Sequence, residues 1–330
     1  MLRSLLAGLI AGCLALPPVT AVAAPRPTGH PAKKVPGRDV CPPLPTSVGE
    51  NLPWQPGERL SFDIDVVGAR AGKLSLVALP PVGKGKSAEL PFRALAASNS
   101  FFSKIRKVRG RSTSYVRARD MHPRRYEENS KEGKLTKSAV VVFERPSEGG
   151  KIRIDYKRNN ARRKSSHAYL NEAFDPVSAI YYLRTLDYRQ GMSVCFDAYS
   201  IRKLWRVTGK VKGLETVKVP AGVFEAWHLE GEAVRTDNPA ARREVHVWIS
   251  NDERRLPVAS LGVIDLGAVR AQLTHVDQGG TAGESEESLI VEEPTTAEVD
   301  ETERPDAQPA AAPAAPAQGA PAQQPGKLEE

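Results

Sequence analysis

The sequence predicts a mainly β fold, in which a long curved antiparallel sheet forms a half-barrel around one buried helix at about residues 175–187. Segments of alternating apolar and polar residues recur from residue 58 to residue 275. Turn-forming residues separate these segments, which favours antiparallel pairing over parallel βαβ units. One segment stands out as a helix. A closed β-barrel and a two-sheet sandwich are the alternative architectures.

The alternation begins at Glu58, where Leu60, Phe62 and Ile64 point to one side of a half-buried strand. Residues 73–79 follow a glycine-flanked turn and complete an antiparallel hairpin. Further strands are predicted at 92–98, 107–118, 139–144, 151–156, 194–199, 204–211, 216–219, 223–231, 243–249, 257–261 and 268–275.

The helix has a clear start and an apolar surface. Asp175 is a good N-cap, and Pro176 suits the first helical position. The residues that follow, up to Leu186, place apolar side chains on nearly every face. Such a helix is buried on most sides, so we expect the sheet to wrap around it.

Four segments of the chain resemble the signature blocks of one family: ERLSFDIDVVGARAG (58–72), DPVSAIYYLRTL (175–186), VPAGVFEAW (219–227) and VWISNDERRLPV (247–258). The family is the exported bacterial domain-of-unknown-function family number 3108, and the resemblance extends over about residues 57–275. It implies a fold of the kind predicted above and an exported location, and it implies no reaction. Each block also has a structural account as a strand, a helix or a turn, so we look for function elsewhere in the chain.

The N-terminus indicates export. Residues 1–23 read as a signal peptide, with Arg3 before an apolar run and a small-residue cleavage box at 21–23. An alternative is a lipobox at 10–13, which would make Cys13 the lipidated first residue of a lipoprotein. The apolar run is shorter than the roughly 20 residues of a membrane span. We therefore expect the periplasm or the outer-membrane periphery, with no transmembrane span.

The mature chain divides into three parts. Residues 24–56 form a Pro-rich extended arm, and residues 57–276 form the β-rich domain. Residues 277–330 form an acidic, Ala/Pro-rich tail that we expect to be disordered, because it has too little apolar content to form a core. The tail from residue 278 has twelve Asp and Glu against two Lys and Arg, whereas the whole chain has a net charge of +8. The remainder of the chain is therefore strongly basic.

Two cysteines, Cys41 and Cys195, remain after signal cleavage. In an exported chain they are candidates for a disulfide, and two free thiols are the alternative. The sequence has no Cys-x-x-Cys motif and no cluster of neighbouring histidines. We therefore predict no metal site and no cofactor.

The basic charge is concentrated between Ser103 and Lys164, which contains twenty Lys and Arg against seven Asp and Glu. Such a face attracts polyanions. For an exported protein these are anionic lipids, lipopolysaccharide, wall polymers or acidic envelope proteins, and not nucleic acid. A role in solubility, or docking of the acidic tail, would need no external ligand. The candidate ligand-binding residues are Lys104, Arg106, Lys107, Arg109, Arg111, Arg124, Arg125, Arg254 and Arg255.

The last two arginines follow Asn251-Asp252, which reads as a turn. For this pair we favour a hairpin turn with its charges in solvent over contact with a ligand. The aromatic residues are expected in the core, with an apolar groove between sheet and helix as the alternative. They are Tyr181, Tyr182, Phe196, Trp205, Trp227 and Trp248.

No catalytic residue is predicted, because the chain lacks a Gly-x-Ser-x-Gly motif, a His-Glu-x-x-His motif and a P-loop. The carboxylates Glu58, Asp63, Asp65 and Asp252 would have to converge to support glycan chemistry. We therefore expect a non-enzymatic binding or scaffold role at the cell envelope. An enzyme that modifies envelope glycans or lipids and a protein–protein scaffold using the Pro-rich tail are the alternatives.

Overall fold

The structure is a computed structural model, and it describes residues 41–42, 51–169, 171–200, 202–264 and 267–279 of the chain. The predicted signal segment, Cys13, most of the Pro-rich arm and nearly all of the acidic tail lie outside the described residues. None of the helices within the described ranges is long and apolar enough to cross a membrane. The helices are α1 (Ser100–Arg106) and α2 (Pro176–Leu183), with short 3-10 turns at Gly85–Ser87 and Pro146–Glu148.

The described strands form one sheet of fifteen strands. They are β1 (Arg59–Val66), β2 (Ala69–Ala78), β3 (Glu89–Ser98), β4 (Val108–Arg117), β5 (Pro123–Glu132), β6 (Leu135–Phe143), β7 (Lys151–Arg158), β8 (Ala161–Ala168), β9 (Ala173–Phe174), β10 (Ser193–Ser200), β11 (Lys203–Val219), β12 (Gly222–Arg235), β13 (Asn238–Ser250), β14 (Pro257–Ile264) and β15 (Gly267–Asp277). Their order is β8-β7-β6-β5-β4-β3-β2-β1-β15-β14-β13-β12-β11-β10-β9.

Neighbouring strands pair antiparallel except β9 and β10, which are parallel. The sheet is open, with β8 and β9 at its edges. Its two ends nevertheless approach each other: the Phe143 ring on β6 lies edge-on to Tyr199 on β10 at 6.1 Å. His167 Nε2 lies 2.9 Å from the carbonyl oxygen of Arg202. The prediction of a long antiparallel sheet curled into a half-barrel is confirmed.

The sheet has two faces with different composition. Leu60 lies opposite Leu76, which lies opposite Ala94, and all three are buried in the core. We call this side the inner face. The alternate residues, such as Asp63 paired with Lys73, point to the other side, the outer face. The alternation predicted for β1 therefore separates a core face from a face directed away from the core.

The helix α2 lies on the inner face against β3, β4, β9 and β10. Its N-cap, Asp175, is fully buried and accepts hydrogen bonds of 3.0 Å from the amides of Val177 and Ser178. The hydroxyl of Ser114 on β4 donates to the same carboxylate at 2.6 Å. Tyr181 stacks on Phe92 with ring centroids 3.7 Å apart. The predicted buried, capped helix is confirmed, although it ends at Leu183.

The Pro-rich arm is attached to the domain at two places, whereas the sequence suggested Cys41 alone. Cys41 and Cys195 are joined by a disulfide, and the Cys41 amide donates to Asn171 Oδ1 at 2.8 Å. Further along, the Trp54 side chain inserts into the core, with its ring 5.2 Å from Phe92 and 5.2 Å from Tyr181. Trp54 thereby packs against both the sheet and helix α2.

The sequence missed three strands and divided a fourth. β5, β8 and β9 were not predicted, because β5 and β8 are mostly polar and β9 has only two residues. The segments 204–211 and 216–219 form the single strand β11, which continues through a bulge between Val211 and Gly213. Gly213 has a φ of +148°, a conformation that favours glycine. The polar strand β5 matters most, because it forms part of the site described below.

Candidate functional site

A groove crosses the outer face of β3 to β7. Strand register places Leu95, Arg111, Asn129, Ser138 and Lys157 opposite one another in one row across these five strands. Residues paired in this way project from the same face. A second row runs alongside through Arg109, Lys131 and Thr136. The two rows bring side chains from distant parts of the sequence into one surface.

The groove has a volume of about 750 Å³ and an unbalanced charge. Six Lys and Arg residues line it, and no Asp or Glu is among the lining residues. We call this site the basic groove; its outer-face cations are Arg109, Arg111, Lys131, Lys134 and Lys157, whereas strand register directs the Lys137 side chain to the inner side. Asn129, Asn159 and Asn160 add amide groups that can donate hydrogen bonds to an anion.

Two turns at the same end of the sheet shape the groove. One joins β5 to β6 through Gly133, which has a φ of +59°, and it carries Lys134. The other joins β7 to β8 through Asn159 and Asn160. The Asn159 side-chain oxygen accepts from the Thr136 backbone amide at 2.9 Å, and the Asn159 backbone amide donates to the Thr136 carbonyl oxygen at 2.8 Å. These bonds hold the second turn against β6.

The cations of the groove differ in how they are compensated. The Lys137 ammonium is paired with the carboxylate of buried Glu132. Among the described residues, no ion pair is formed by Arg109, Lys131, Lys134 or Lys157. These four side chains are exposed. The groove therefore presents positive charge that no described carboxylate neutralises.

The predicted ligand-binding cations are not all brought together. Arg109 and Arg111 lie in the basic groove, whereas Lys104 and Lys107 are exposed on or next to α1 and do not line it. The side chain of Arg106 lies outside the described residues. The groove adds four lysines that the sequence did not single out, because they belong to β5, β6, β7 and the β5–β6 turn. Recognising β5 as a strand would have aligned its alternate residues with Arg109 and Arg111.

The other predicted cations lie away from the basic groove. Arg124 Nε lies 3.5 Å from Glu89, and Arg125 pairs with Glu127. At the predicted turn, Asp252 Oδ1 accepts from the amides of Arg254 and Arg255 at 3.1 Å each. These backbone contacts form the turn, but the side chains of Arg254 and Arg255 are half-buried rather than in solvent, and the Arg255 guanidinium lies 5.8 Å from the Tyr188 ring.

Arg184 connects three of the four sequence blocks through a fully buried side chain. Its guanidinium donates to both carboxylate oxygens of Glu58, at 2.6 and 3.0 Å. It also donates to the carbonyl oxygens of Pro53 at 2.8 Å and Arg254 at 2.9 Å. The rings of Trp54 and Tyr181 lie 5.2 and 5.4 Å from it. The sequence did not indicate this buried ion pair.

The remaining block joins the same structure through one asparagine. The indole of Trp227 donates to Asn251 Oδ1 at 2.8 Å, and the Asn251 amide donates to the Glu225 carbonyl oxygen at 2.8 Å. The four blocks thus meet in the folded domain, and each contributes contacts that fix the fold.

The carboxylates considered for glycan chemistry lie apart from one another in the structure. Glu58 is occupied by Arg184 on the inner side, Asp63 pairs with Arg70 at 2.8 Å on the outer face, and Asp252 caps a turn. These carboxylates do not converge on a common point. The aromatic side chains Tyr181, Tyr182 and Phe196 belong to the buried core.

Three acids elsewhere in the domain have altered pKa values. Burial raises the pKa of Glu128, an effect that the nearby Lys137 ammonium partly offsets. Burial likewise raises the pKa of Asp175, against the hydrogen bond from Ser114. Near the β9 edge, the hydrogen bond from His122 lowers the pKa of Glu172, whose carboxylate lies 2.7 Å from the His122 ring.

A second polar cluster lies on the outer face of β11 to β13. His228 Nε2 lies 2.9 Å from His246 Nδ1, and the two rings are nearly parallel, at 23°. His228, Glu230 and His246 each place a ligand atom within 4.8 Å of the others, so these three could hold a metal ion. The sequence has no run of neighbouring histidines, but the pairing of β12 with β13 brings together two that are apart in the chain.

Comparison with known proteins places the chain in a family. A family model described as "Protein of unknown function (DUF3108)" matches residues 61–274. No curated protein sequence matches the chain. Among solved structures, the chain is similar to a beta-barrel-like protein of the domain of unknown function DUF1849 from Brucella abortus, with 9% identity and a TM-score of 0.47 over 68% of this chain and 98% of that one.

Two further solved structures have lower scores. A presumed exported protein with a YmcC-like fold from Bacteroides fragilis is 9% identical, with a TM-score of 0.32 over 68% of this chain and 98% of that one. A presumed lipoprotein from Parabacteroides distasonis is 10% identical, with a TM-score of 0.35 over 71% of this chain and 99% of that one. The family model spans the region that the four sequence blocks marked and matches well over half of the chain. This protein therefore belongs to the family of proteins of unknown function DUF3108.

Proposed function

We propose that this protein is exported to the cell envelope and binds an anionic lipid head group or glycan in the basic groove, without reacting with it. The proposal rests on one observation above all: five outer-face cations line a groove of about 750 Å³ that has no carboxylate among its lining residues. The signal-like N-terminus, with Arg3 before an apolar run, supports the exported location.

The size of the groove suits a ligand with more than one charged group. Its volume lies within the roughly 300–1,000 Å³ that is typical of small-molecule sites. Arg109 and Arg111 are two positions apart on β4, and Lys157 lies in the same cross-strand row as Arg111. Guanidinium groups can bind phosphate or carboxylate in a bidentate manner, and ammonium groups act as point charges. Cations arranged along two rows therefore favour an extended or multiply charged anion.

Vesicle binding by the mature full-length chain tests the proposal. We expect binding to vesicles that contain phosphatidylglycerol or lipopolysaccharide and little binding to pure phosphatidylcholine vesicles. Binding is expected to weaken steeply with salt, since exposed charges are screened beyond about 10 Å at 0.1 M ionic strength. The triple variant Arg109→Gln/Lys131→Gln/Lys157→Gln is expected to lose most of this binding.

The matched control carries the same change in net charge at paired arginines: Arg124→Gln/Arg125→Gln/Arg242→Gln, whose partners are Glu89, Glu127 and Glu232. We expect this control to bind nearly as well as the wild type. Equal loss in both triple variants would show that overall charge, rather than the basic groove, attracts the vesicles. Binding that is insensitive to salt would also contradict the proposal.

A further inference from the structure

The histidine cluster on the outer face is built by strand pairing. Glu230 on β12 lies directly opposite His246 on β13, and His228 lies opposite Trp248. Residues 228 and 230 of one strand, and 246 and 248 of the other, project from the same face. His228 stacks on Trp248 with centroids 4.6 Å apart and planes at 9°. These four side chains therefore form one contiguous group.

Each imidazole is oriented by a carboxylate on the side away from the other imidazole. His228 Nδ1 lies 2.7 Å from Glu215 Oε1, and His246 Nε2 lies 2.8 Å from Glu244 Oε1. The Trp248 indole donates to the other oxygen of Glu215 at 3.0 Å. Carboxylates that orient the distal nitrogen of a ligating histidine are characteristic of metal sites.

This arrangement directs two lone pairs at each other. An ionised carboxylate only accepts hydrogen bonds, so the distal nitrogen of each ring carries the proton. In the neutral rings, His228 Nε2 and His246 Nδ1 are then both acceptors, and they face each other at 2.9 Å. A cation between the rings, either an additional proton or a metal ion, satisfies both lone pairs. A tetrahedral Zn²⁺ with Zn–N bonds of about 2.0–2.1 Å holds its nitrogens about 3.3 Å apart, so the rings would need to separate only slightly.

Glu230 supplies a third donor. Its carboxylate is exposed and forms an ion pair with the Lys212 ammonium, with Oε2 and Nζ 3.4 Å apart. It lies within 4.8 Å of both imidazole donors, so a side-chain rotation brings it to the same ion. Two imidazoles and one carboxylate suit Zn²⁺, Cu²⁺ or Ni²⁺, whereas Ca²⁺ and Mg²⁺ prefer oxygen ligands only. Three protein ligands leave the fourth position of a tetrahedral ion to solvent.

We propose that His228, His246 and Glu230 bind one divalent transition-metal ion of the zinc type, with Glu215 and Glu244 as positioning residues. This site is on β12 and β13, whereas the basic groove is on β3 to β7, so the two proposals are independent.

Isothermal titration calorimetry tests the site, with ZnCl₂ added to the full mature chain after treatment with a chelator. We expect one equivalent of Zn²⁺ to bind, and neither Mg²⁺ nor Ca²⁺ to compete. His228→Ala and His246→Ala are expected to abolish the stoichiometric binding. Glu215→Gln is expected to weaken the affinity by about 10- to 100-fold, as outer residues of metal sites do. Lys212→Gln is expected to strengthen it, because the Glu230 carboxylate is released from its ammonium partner.

Matched controls separate the site from surface binding. His275→Ala removes an exposed histidine on β15, and Glu232→Gln removes a carboxylate one position further along the same face of β12. Both are expected to bind one equivalent with wild-type affinity. Circular dichroism and thermal melting of each variant without metal establish that it is folded. Undiminished Zn²⁺ binding in folded His228→Ala, equal losses in His275→Ala, or no Zn²⁺ binding by the wild type would each overturn the proposal.

Discussion

The inner and outer faces of this sheet use charged residues in opposite ways. On the inner side, the buried Arg184 guanidinium is bonded to Glu58 and to two backbone carbonyl oxygens. On the outer face, Arg109 and Lys157 line a groove that contains no carboxylate. A buried cation that is bonded to fixed acceptors contributes to the fold, whereas an exposed one without an ion-pair partner is available to a ligand. The comparison predicts that stability and binding can be changed independently.

The disruption of the inner ion pair should have the largest effect. Arg184→Met leaves the buried Glu58 carboxylate without its partner, and removal of one partner of a buried pair typically costs about 3–5 kcal/mol. Urea denaturation measures this loss, and the double variant Glu58→Gln/Arg184→Met should recover part of it. The outer-face control Arg242→Met loses an exposed pair with Glu232 and should cost no more than about 1 kcal/mol. If both single variants cost the same, burial does not distinguish the two faces.

Removal of the disulfide should have the second-largest effect on stability. It joins residues separated by 154 positions and holds the arm against β10. Cys41→Ser/Cys195→Ser should lower the free energy of unfolding by about 2–4 kcal/mol, which is typical for a native disulfide. Denaturation of the wild type with and without reductant provides the control, since the reduced protein should behave like the variant. Identical curves for the oxidised and reduced wild type would mean that the arm contributes little to the core.

A smaller effect should appear in the pH dependence of stability. Burial raises the pKa of Glu128, with Lys137 and the Tyr126 hydrogen bond acting in the opposite direction. A raised folded-state pKa means that the protonated acid is favoured in the fold, so this contribution to stability is present at low pH and is lost as pH rises through the folded-state value. Glu128→Gln should therefore melt at a higher temperature than the wild type at pH 7.5, and the difference should vanish near pH 4.

The matched control for that measurement is Glu127→Gln, the next residue of β5 and on its outer face. Since Glu127 pairs with Arg125 at the surface, its substitution should give no such gain at high pH. A wild type that becomes more stable relative to Glu128→Gln as pH rises would contradict the assigned direction.

The smallest effect on stability should come from the basic groove itself. The variant Arg109→Gln/Lys131→Gln/Lys157→Gln should change the free energy of unfolding by no more than about 0.5 kcal/mol, as is usual for surface substitutions. A slight gain is expected, because like charges in the groove repel one another. Chemical denaturation alongside the vesicle assay measures both properties in one variant. A large loss of stability would show that these cations also support the fold.

Local patterns were sufficient for much of the architecture. The alternation in β1 and the Asp175-Pro176 start of α2 depend on residues that are close in the chain, so the sequence predicted them directly. The mostly polar strands β5 and β8 were missed, because several inward positions of β5 carry polar residues, such as Ser130 and Glu132, and β8 is exposed almost throughout. The basic run was recognised as a whole, but only the register of β3 to β7 selects the cations that share the groove.

By itself, the sequence determined a β-rich domain with one buried helix, a basic middle segment and a pair of cysteines beyond the predicted signal segment. The tertiary structure decided which of these residues meet. Arg184 reaches Glu58 across 126 positions, and His228 reaches His246 across 18. Contacts of this kind depend on strand order and register, which the whole sheet and its core set together. Periodicity specifies only the face on which each side chain lies.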